Sequence, residues 1–516
     1  MTAPHTDLYL GLDLGTSGLK AIALDDSGIV VARAAASYPT SRPSPGAGEQ
    51  DPRDWTRAIE QAACDLSGSV PQRRWCAIGL SGMIPTLLTA GENGEPIGPA
   101  ITWEDNRAEE QAGRLRGLFG AGAESAGGEA LYRITGQWVD GRYLLPMFLR
   151  LAEQEPGRAA ATSTLLGAKD YLFWWLTGHA ATDPSTATGF GCFDLAAAAW
   201  STDVLGAAAA ARGADGGPVR DSELCGARLP ALPPVLHATA TRPLRADIAA
   251  RLGCKQVPVC VGAADSVLGA FGLGVRSPGQ IAYVAGTSTA ILGVTDRPVL
   301  DPHHRFLVTP LAEPGRWGLE MDLLATGSAL RWLADLLGGG LDEAGVLALA
   351  AEVDPADAPV VLPYLSPGEQ GALWDPALHG TVGGLTLGHD RRHLARGLVN
   401  GIVLESRRCL GVLDETGGKM SPFTGELMVA GGSATAKSFR ADLADASGRR
   451  VIVPGGQDTD FSARGAAMLA AKTVGRPMPH VAQAPAAATT DPDPHRASTW
   501  DALWARHERT RHAVSG

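Results

Sequence analysis

Apolar and polar positions alternate from residue 8 to residue 40, through LYLGLDLG, KAIALDD and GIVVARAAASY. This period of two predicts three consecutive antiparallel strands separated by turns. The first turn reads Gly15-Thr16-Ser17-Gly18. A helical period follows at 53–66, then a strand at 75–80 and an apolar run at 86–90 closed by Gly-Glu-Asn-Gly. From there helices alternate with short strands, which predicts α/β layers. The Ala/Gly-rich stretch at 195–217 fits a helix with a loose end as well as a solvated loop.

Further on, Val-Pro-Val-Cys-Val-Gly at 257–262 leads into GAADSVLGAFGLG, and 281–295 reads IAYVAGTSTAILGVT. The second of these segments repeats the start of the chain: apolar strand, Gly-Thr-Ser turn, apolar strand. Such a repeat predicts two similar half-molecules facing each other. A helix is expected at 394–413, a strand at 426–430, and a Gly-rich turn opening a helix in GGSATAKSFRADLADASG. Beyond about residue 476 the chain becomes Pro/Ala-rich, which predicts an extended linker, and Trp500 and Trp504 lie one turn apart on an expected terminal helix. The expected domains are 1–250 and 251–476, with 477–516 as linker and terminal helix.

With 516 residues, 45% of them hydrophobic, the chain can fill two cores. A net charge of −11 excludes non-specific adhesion to nucleic acid or anionic membranes, so an anionic ligand must be held by local groups. The seven cysteines form no CxxC pair and read as reduced thiols. With neither a basic leader nor an apolar run of about 18 residues, the expected compartment is the cytoplasm.

Three segments carry candidate chemistry. In Asp13-Leu14-Gly15-Thr16-Ser17-Gly18 the glycines let backbone N–H groups approach a phosphate, Thr16 and Ser17 add hydroxyls, and Asp13 can hold Mg²⁺ through water. A plain hairpin can also carry Gly and Ser, but the recurrence at Gly286-Thr287-Ser288 favours a polyphosphate clamp. Asp265, after Gly262-Ala263-Ala264, suits a general base that takes a hydroxyl proton; a helix N-cap is the plainer reading, and both roles can hold at once. Gly431-Gly432-Ser433-Ala434 before a helix can admit a nucleotide or be a simple turn.

In this order the segments resemble the FGGY carbohydrate kinases, the xylulokinase branch above all. The resemblance adds GEQDPRDW at 48–55, WEDNRA at 103–108, AKDYLFWWLTG at 168–178, TDPSTATG at 182–189, PYLSPGE at 363–369 and GGLTLGHDRRHLARG at 383–397. It implies an α/β fold of two actin-like, ribonuclease H-like ATPase domains with a cleft between them, using ATP and Mg²⁺. It also implies phosphorylation of a hydroxyl on a small sugar or polyol, with D-xylulose to D-xylulose 5-phosphate first. By position, Asp265 becomes the catalytic base and Asp13 the metal-side carboxylate. Thr16, Ser17, Gly286, Thr287, Ser288, Gly431, Gly432, Ser433 and Ala434 become nucleotide contacts, and Met83, Ile84, Trp103, Asp105 and Arg142 face the sugar alongside Asp265. A homodimer stays open.

The departures from the family pattern bear on the sugar. Xylulokinases usually show Gly-Gln-Met-His-Gly where this chain has Ser81-Gly82-Met83-Ile84-Pro85-Thr86, and Asn after the catalytic Asp where Ser266 stands. Arg142 could bind a carboxylate and favour an aldonate such as gluconate, or form a structural ion pair. The competing class is an actin-like ATPase acting as a chaperone or assembly protein. The WEDNR and GAADS segments speak against it.

Overall fold

The computed structural model describes residues 7–120, 124–211, 229–366, 371–375, 378–417, 422–423, 425–455, 460–476 and 486–514. The end of the Ala/Gly-rich stretch, part of PYLSPGE and the start of the expected linker lie outside them. Two compact units emerge: residues 1–272, 308–315 and 460–479 form the first, and the remainder forms the second.

In the first unit, β1 (Leu8–Leu14), β2 (Gly18–Asp25) and β3 (Val30–Ser37) make the expected antiparallel meander. Every residue of β1 is buried, because it is the central strand, covered on both faces. Its other edge pairs in parallel with β4 (Trp75–Gly82), and β4 pairs in parallel with β5 (Pro258–Cys260) and β6 (Ala263–Ala264). Against one face lies the helix Pro52–Ser67, started by the Asp51 cap and Pro52, with Trp55, Ile59, Ala62, Ala63 and Leu66 turned inward. The helix Phe461–Thr473 packs closely enough on β1 that a Cβ at Gly11 would lie 1.9 Å from the Ala463 carbonyl oxygen. Its Ala463, Ala466, Ala467 and Ala470 are all buried there.

The second unit repeats this plan. β7 (Ile281–Ala285), β8 (Thr289–Thr295) and β9 (Trp317–Leu323) form a meander. Parallel to β7 runs β10 (Glu426–Gly431), followed by β11 (Arg450–Pro454) in parallel and β12 (Ala486–Thr490) antiparallel at the edge. The long helix Arg391–Gly417 carries a largely buried middle.

Two expected boundaries move. Residues 251–272 belong to the first unit, because β5 and β6 pair with β4 and the helix Asp265–Gly272 packs on Phe461–Thr473. The region expected to be linker contributes β12, whose residues pair with Val451–Pro454, so the segment after 485 completes the second sheet. Among the described residues, no helix is long and apolar enough to cross a membrane.

Candidate active site

Register brings the catalytic candidates of the first unit together. Asp13 stands opposite Ser81 and Leu14 opposite Gly82, while on the other side of β4 Ala263 pairs Ser81 and Ala264 pairs Gly82. Three parallel strands therefore end side by side, and the chain leaving them is the Gly15–Gly18 turn, Met83-Ile84 and Asp265. Ligands of open α/β sheets bind at this carboxyl edge. Gly262 makes the arrangement possible: its φ is +77°, and a Cβ there would lie 1.8 Å from the Leu80 carbonyl oxygen.

Asp265 opens the helix Asp265–Gly272, is partly exposed, and accepts the Ser266 N–H at 2.9 Å through Oδ1. Its place at the helix start leaves the carboxylate partly exposed, so the position is compatible with a base. Met83 is buried and donates its N–H to the Leu14 carbonyl at 2.9 Å; Ile84 is partly exposed.

Asp13 is buried and accepts the Ser81 hydroxyl at 2.7 Å. Burial pushes its carboxyl above the usual range, with Ser81 and Lys20 pulling it back and Asp460 pushing the same way as burial. Lys20, its cross-strand neighbour in the β1–β2 hairpin, pairs with Asp460 at 2.9 Å. No group of three or more His, Cys, Asp or Glu among the described residues could grip a metal by protein ligands alone. The donor set fits Mg²⁺, which takes one or two carboxylates and completes its shell with water and phosphate oxygens, and a buried carboxylate gains from such a cation.

The Gly15–Gly18 turn is braced by hydrogen bonds. Gly15 N–H closes on the Gly18 carbonyl at 3.1 Å, and the Gln50 amide donates to the Thr16 carbonyl at 2.7 Å while its oxygen accepts the Trp55 indole at 2.9 Å. Trp103, expected at the sugar, donates its indole N–H to the Thr16 hydroxyl at 2.8 Å. Ser17 is exposed. Asp105 is buried, with its oxygens taken by the Gly48 N–H at 3.1 Å and by Arg107, which also reaches Glu49 at 2.6 Å. Its geometry is that of a brace for Arg107. Arg142 donates through Nε and Nη2 to Asp140, two residues earlier. A ligand carboxylate would have to compete with that neighbour.

The second unit holds the other turn. Gly286 N–H bonds the Ser288 carbonyl at 2.8 Å, Gly286 and Thr287 are exposed, and the Thr287 carbonyl accepts the Ser328 N–H at 3.0 Å. At the end of β10, Gly431 has a φ of +103°, and a Cβ there would lie 1.8 Å from the Ala285 carbonyl oxygen. Gly432 N–H bonds that same oxygen at 3.1 Å, before the short turn Ser433–Thr435 that includes Ala434. A cavity of about 490 Å³, lined by Gly286, Thr287, Gly327, Leu347, Gly432 and Ser433 among others, opens over these turns. Its volume falls in the range of small-molecule sites. A cavity of about 590 Å³ beside Trp504 is larger but carries neither glycine turn.

Sequence reasoning missed Ser81, Lys20 and Asp460. Asp460 had a weak signal, an acidic residue directly before the helix Phe461–Thr473; the other two acquire meaning only through register.

The residues 8–272 match the model for the FGGY family of carbohydrate kinases, N-terminal domain, and 281–474 that for the C-terminal domain. A xylulose kinase of Escherichia coli (strain K12) is 31% identical over 466 residues, covering 90% of this chain and 89% of that protein. A gluconokinase of Bacillus licheniformis is 27% identical over 483 residues, covering 91% and 88%. The crystal structure of a xylulose kinase from Rhodospirillum rubrum superposes with a TM-score of 0.83 at 28% identity, covering 98% of this chain and 99% of that one. With both domain models matched in order and a two-domain α/β fold to carry them, the chain belongs to the FGGY family of carbohydrate kinases.

Proposed function

We propose that this kinase transfers the γ-phosphoryl group of ATP to a hydroxyl of a small neutral sugar or polyol, D-xylulose first. The observation that carries this reading is the placement of Asp265 at the carboxyl edge of β6, beside Met83-Ile84 and one strand from the Asp13 turn. The Asp265 carboxylate takes the acceptor hydroxyl proton as its oxygen attacks the γ-phosphorus and the bond to ADP breaks. Ser266 N–H orients the carboxylate. Thr16 and Ser17 offer hydroxyls to the phosphate. The second unit holds the nucleotide through Gly286, Thr287, Ser288 and the Gly431–Ala434 turn. When bound, Mg²⁺ would neutralise phosphate oxygens, and Asp13 is the residue to hold it through water.

A neutral acceptor is favoured over an aldonate because Arg142 is already engaged by Asp140. The loss of polar side chains at Gly82 and Ile84, and the shorter one at Ser266, favours relaxed choice among neutral acceptors, since a site short of hydrogen-bond partners rejects analogues weakly. An ADP-release assay over xylulose, ribulose, xylitol, erythritol, gluconate and glycerol tests this. Turnover of D-xylulose is expected, with at least one other neutral acceptor of comparable efficiency, and Arg142→Ala should alter neutral and aldonate use alike. Exclusive use of gluconate, abolished by Arg142→Ala, would overturn the neutral reading. Robust ATP turnover without acceptor would revive an assembly or chaperone role.

A further inference from the structure

Behind the Asp265 strand lies a buried charge cluster that the proposed reaction does not use. Lys169, Asp170 and Asp183 are 0%, 0% and 1% exposed. The Lys169 ammonium lies 3.0 Å from Asp170 Oδ1 and 3.2 Å from Asp183 Oδ1. Burial works to strip its proton, and the two carboxylates overcome that and hold it charged. Asp183 also accepts the Ser185 N–H at 2.9 Å, the Ser185 hydroxyl at 2.5 Å and the Thr186 hydroxyl at 2.6 Å.

Buried ion clusters are poor devices for stability, since apolar side chains of equal volume often do as well or better. The hydrogen bonds leaving this cluster suggest what it does instead. Lys169 donates to the Val261 carbonyl at 3.0 Å, and the Ser185 hydroxyl accepts the Ala264 N–H at 2.9 Å. Both bonds fall on the four residues that deliver Asp265. Val261 and Gly262 donate their N–H groups to the Ala240 and Ala238 carbonyls at 2.9 and 3.0 Å, but β6 itself pairs with β4 over only two residues, directly after Gly262 with its positive φ. A two-residue ladder after a left-handed residue is weakly held by itself.

We propose that Lys169, Asp183 and Ser185 are positioning residues for Asp265, pinning the backbone on both sides of Gly262-Ala263 so that the carboxylate meets the acceptor hydroxyl. This rests on the reading of Asp265 as the base. Loss of the pin misplaces the base without touching the nucleotide, and small misplacements of a reacting group cost about 100-fold in rate.

A double-mutant cycle in the full-length enzyme tests it. Ser185→Ala is expected to lower kcat by about 10- to 100-fold with the ATP dissociation constant changed less than about two-fold. In the Asp265→Asn background the same substitution should add less than about three-fold, because a positioning residue has nothing left to position. Should Ser185→Ala fail to fold, Ser185→Cys fills the same space with a weaker acceptor and carries the same cycle. Equal losses in both backgrounds, or an unchanged kcat, would overturn the proposal and leave the cluster a structural support. Failure of the underlying reading shows separately, as near wild-type turnover in Asp265→Asn alone.

Discussion

A single carboxylate, Asp265, stood out in the sequence as a general-base candidate because it follows an apolar strand and three small residues, and the structure sets it where that strand ends and a helix begins. The glycine turns were legible for a related reason: only glycine admits the close backbone approaches seen at Gly262 and Gly431. Ser81 and Lys20 were not legible. Ser81 bonds Asp13 across 68 residues of chain, and Lys20 matters because hairpin register sets it opposite Asp13. Trp103 and Asp105 were read as sugar contacts, and in the structure their polar atoms brace Thr16 and Arg107. Asp265→Asn is expected to lower kcat by at least about 100-fold, at the low end of what a general base contributes, while ATP binding measured by titration stays nearly unchanged. Near wild-type turnover would remove the base from this position.

At the level of elements, the meanders and long helices followed their periodicity, and the misread one was β12. Its sequence, AAATT, has little strand propensity, and it is a strand because the edge of β11 offers it a ladder. The helix Ala497–Val514 that follows is fastened by charge as much as by Trp500. Buried Glu405 accepts the Tyr364 hydroxyl at 2.7 Å, lies 2.7 Å from His507 Nε2, and pairs with Arg408, which reaches on to Glu508 and lies 4.8 Å from the Trp504 ring centre. Burial alone would raise the Glu405 carboxyl, but Arg408 and His507 overcome it and hold the group at about 2. A depressed carboxylate contributes stability above its unfolded value of 4.5 and loses it as pH falls toward 2. The contribution is about 3 kcal/mol at order of magnitude. Glu405→Gln is therefore expected to lower the thermal midpoint by several degrees at pH 7, with the gap to wild type closing as pH drops from about 4.5 toward 2. A gap independent of pH would mean that the cluster acts by packing alone.

For the whole molecule, the internal repeat was the most informative feature of the sequence, and the two sheets bear it out in the meander and in the parallel strands beside it. Leu14 pairs Gly82 in one unit as Ala285 pairs Gly431 in the other. The same slot, the end of the strand parallel to the central one, thus leads into Met83-Ile84 in the first unit and into Gly432-Ser433 in the second. One architecture is used twice with different residues in the slot: an apolar Met83-Ile84-Pro85 loop in one, a glycine turn in the other. The boundary between units was the part that periodicity could not give, since residues 460–479 return to the first unit long after the chain has left it. This division predicts where ligands act. Ligand at 100 times its dissociation constant stabilises the state that binds it by about 2.7 kcal/mol, which slows amide exchange through local opening by up to about 100-fold. Hydrogen exchange with a non-hydrolysable ATP analogue should protect 285–288, 327–331 and 431–436, whereas D-xylulose alone should protect 83–86 and 261–266. Protection of 83–86 and 261–266 by the analogue, with none at 285–288, would reverse the assignment of nucleotide and acceptor to the two repeats.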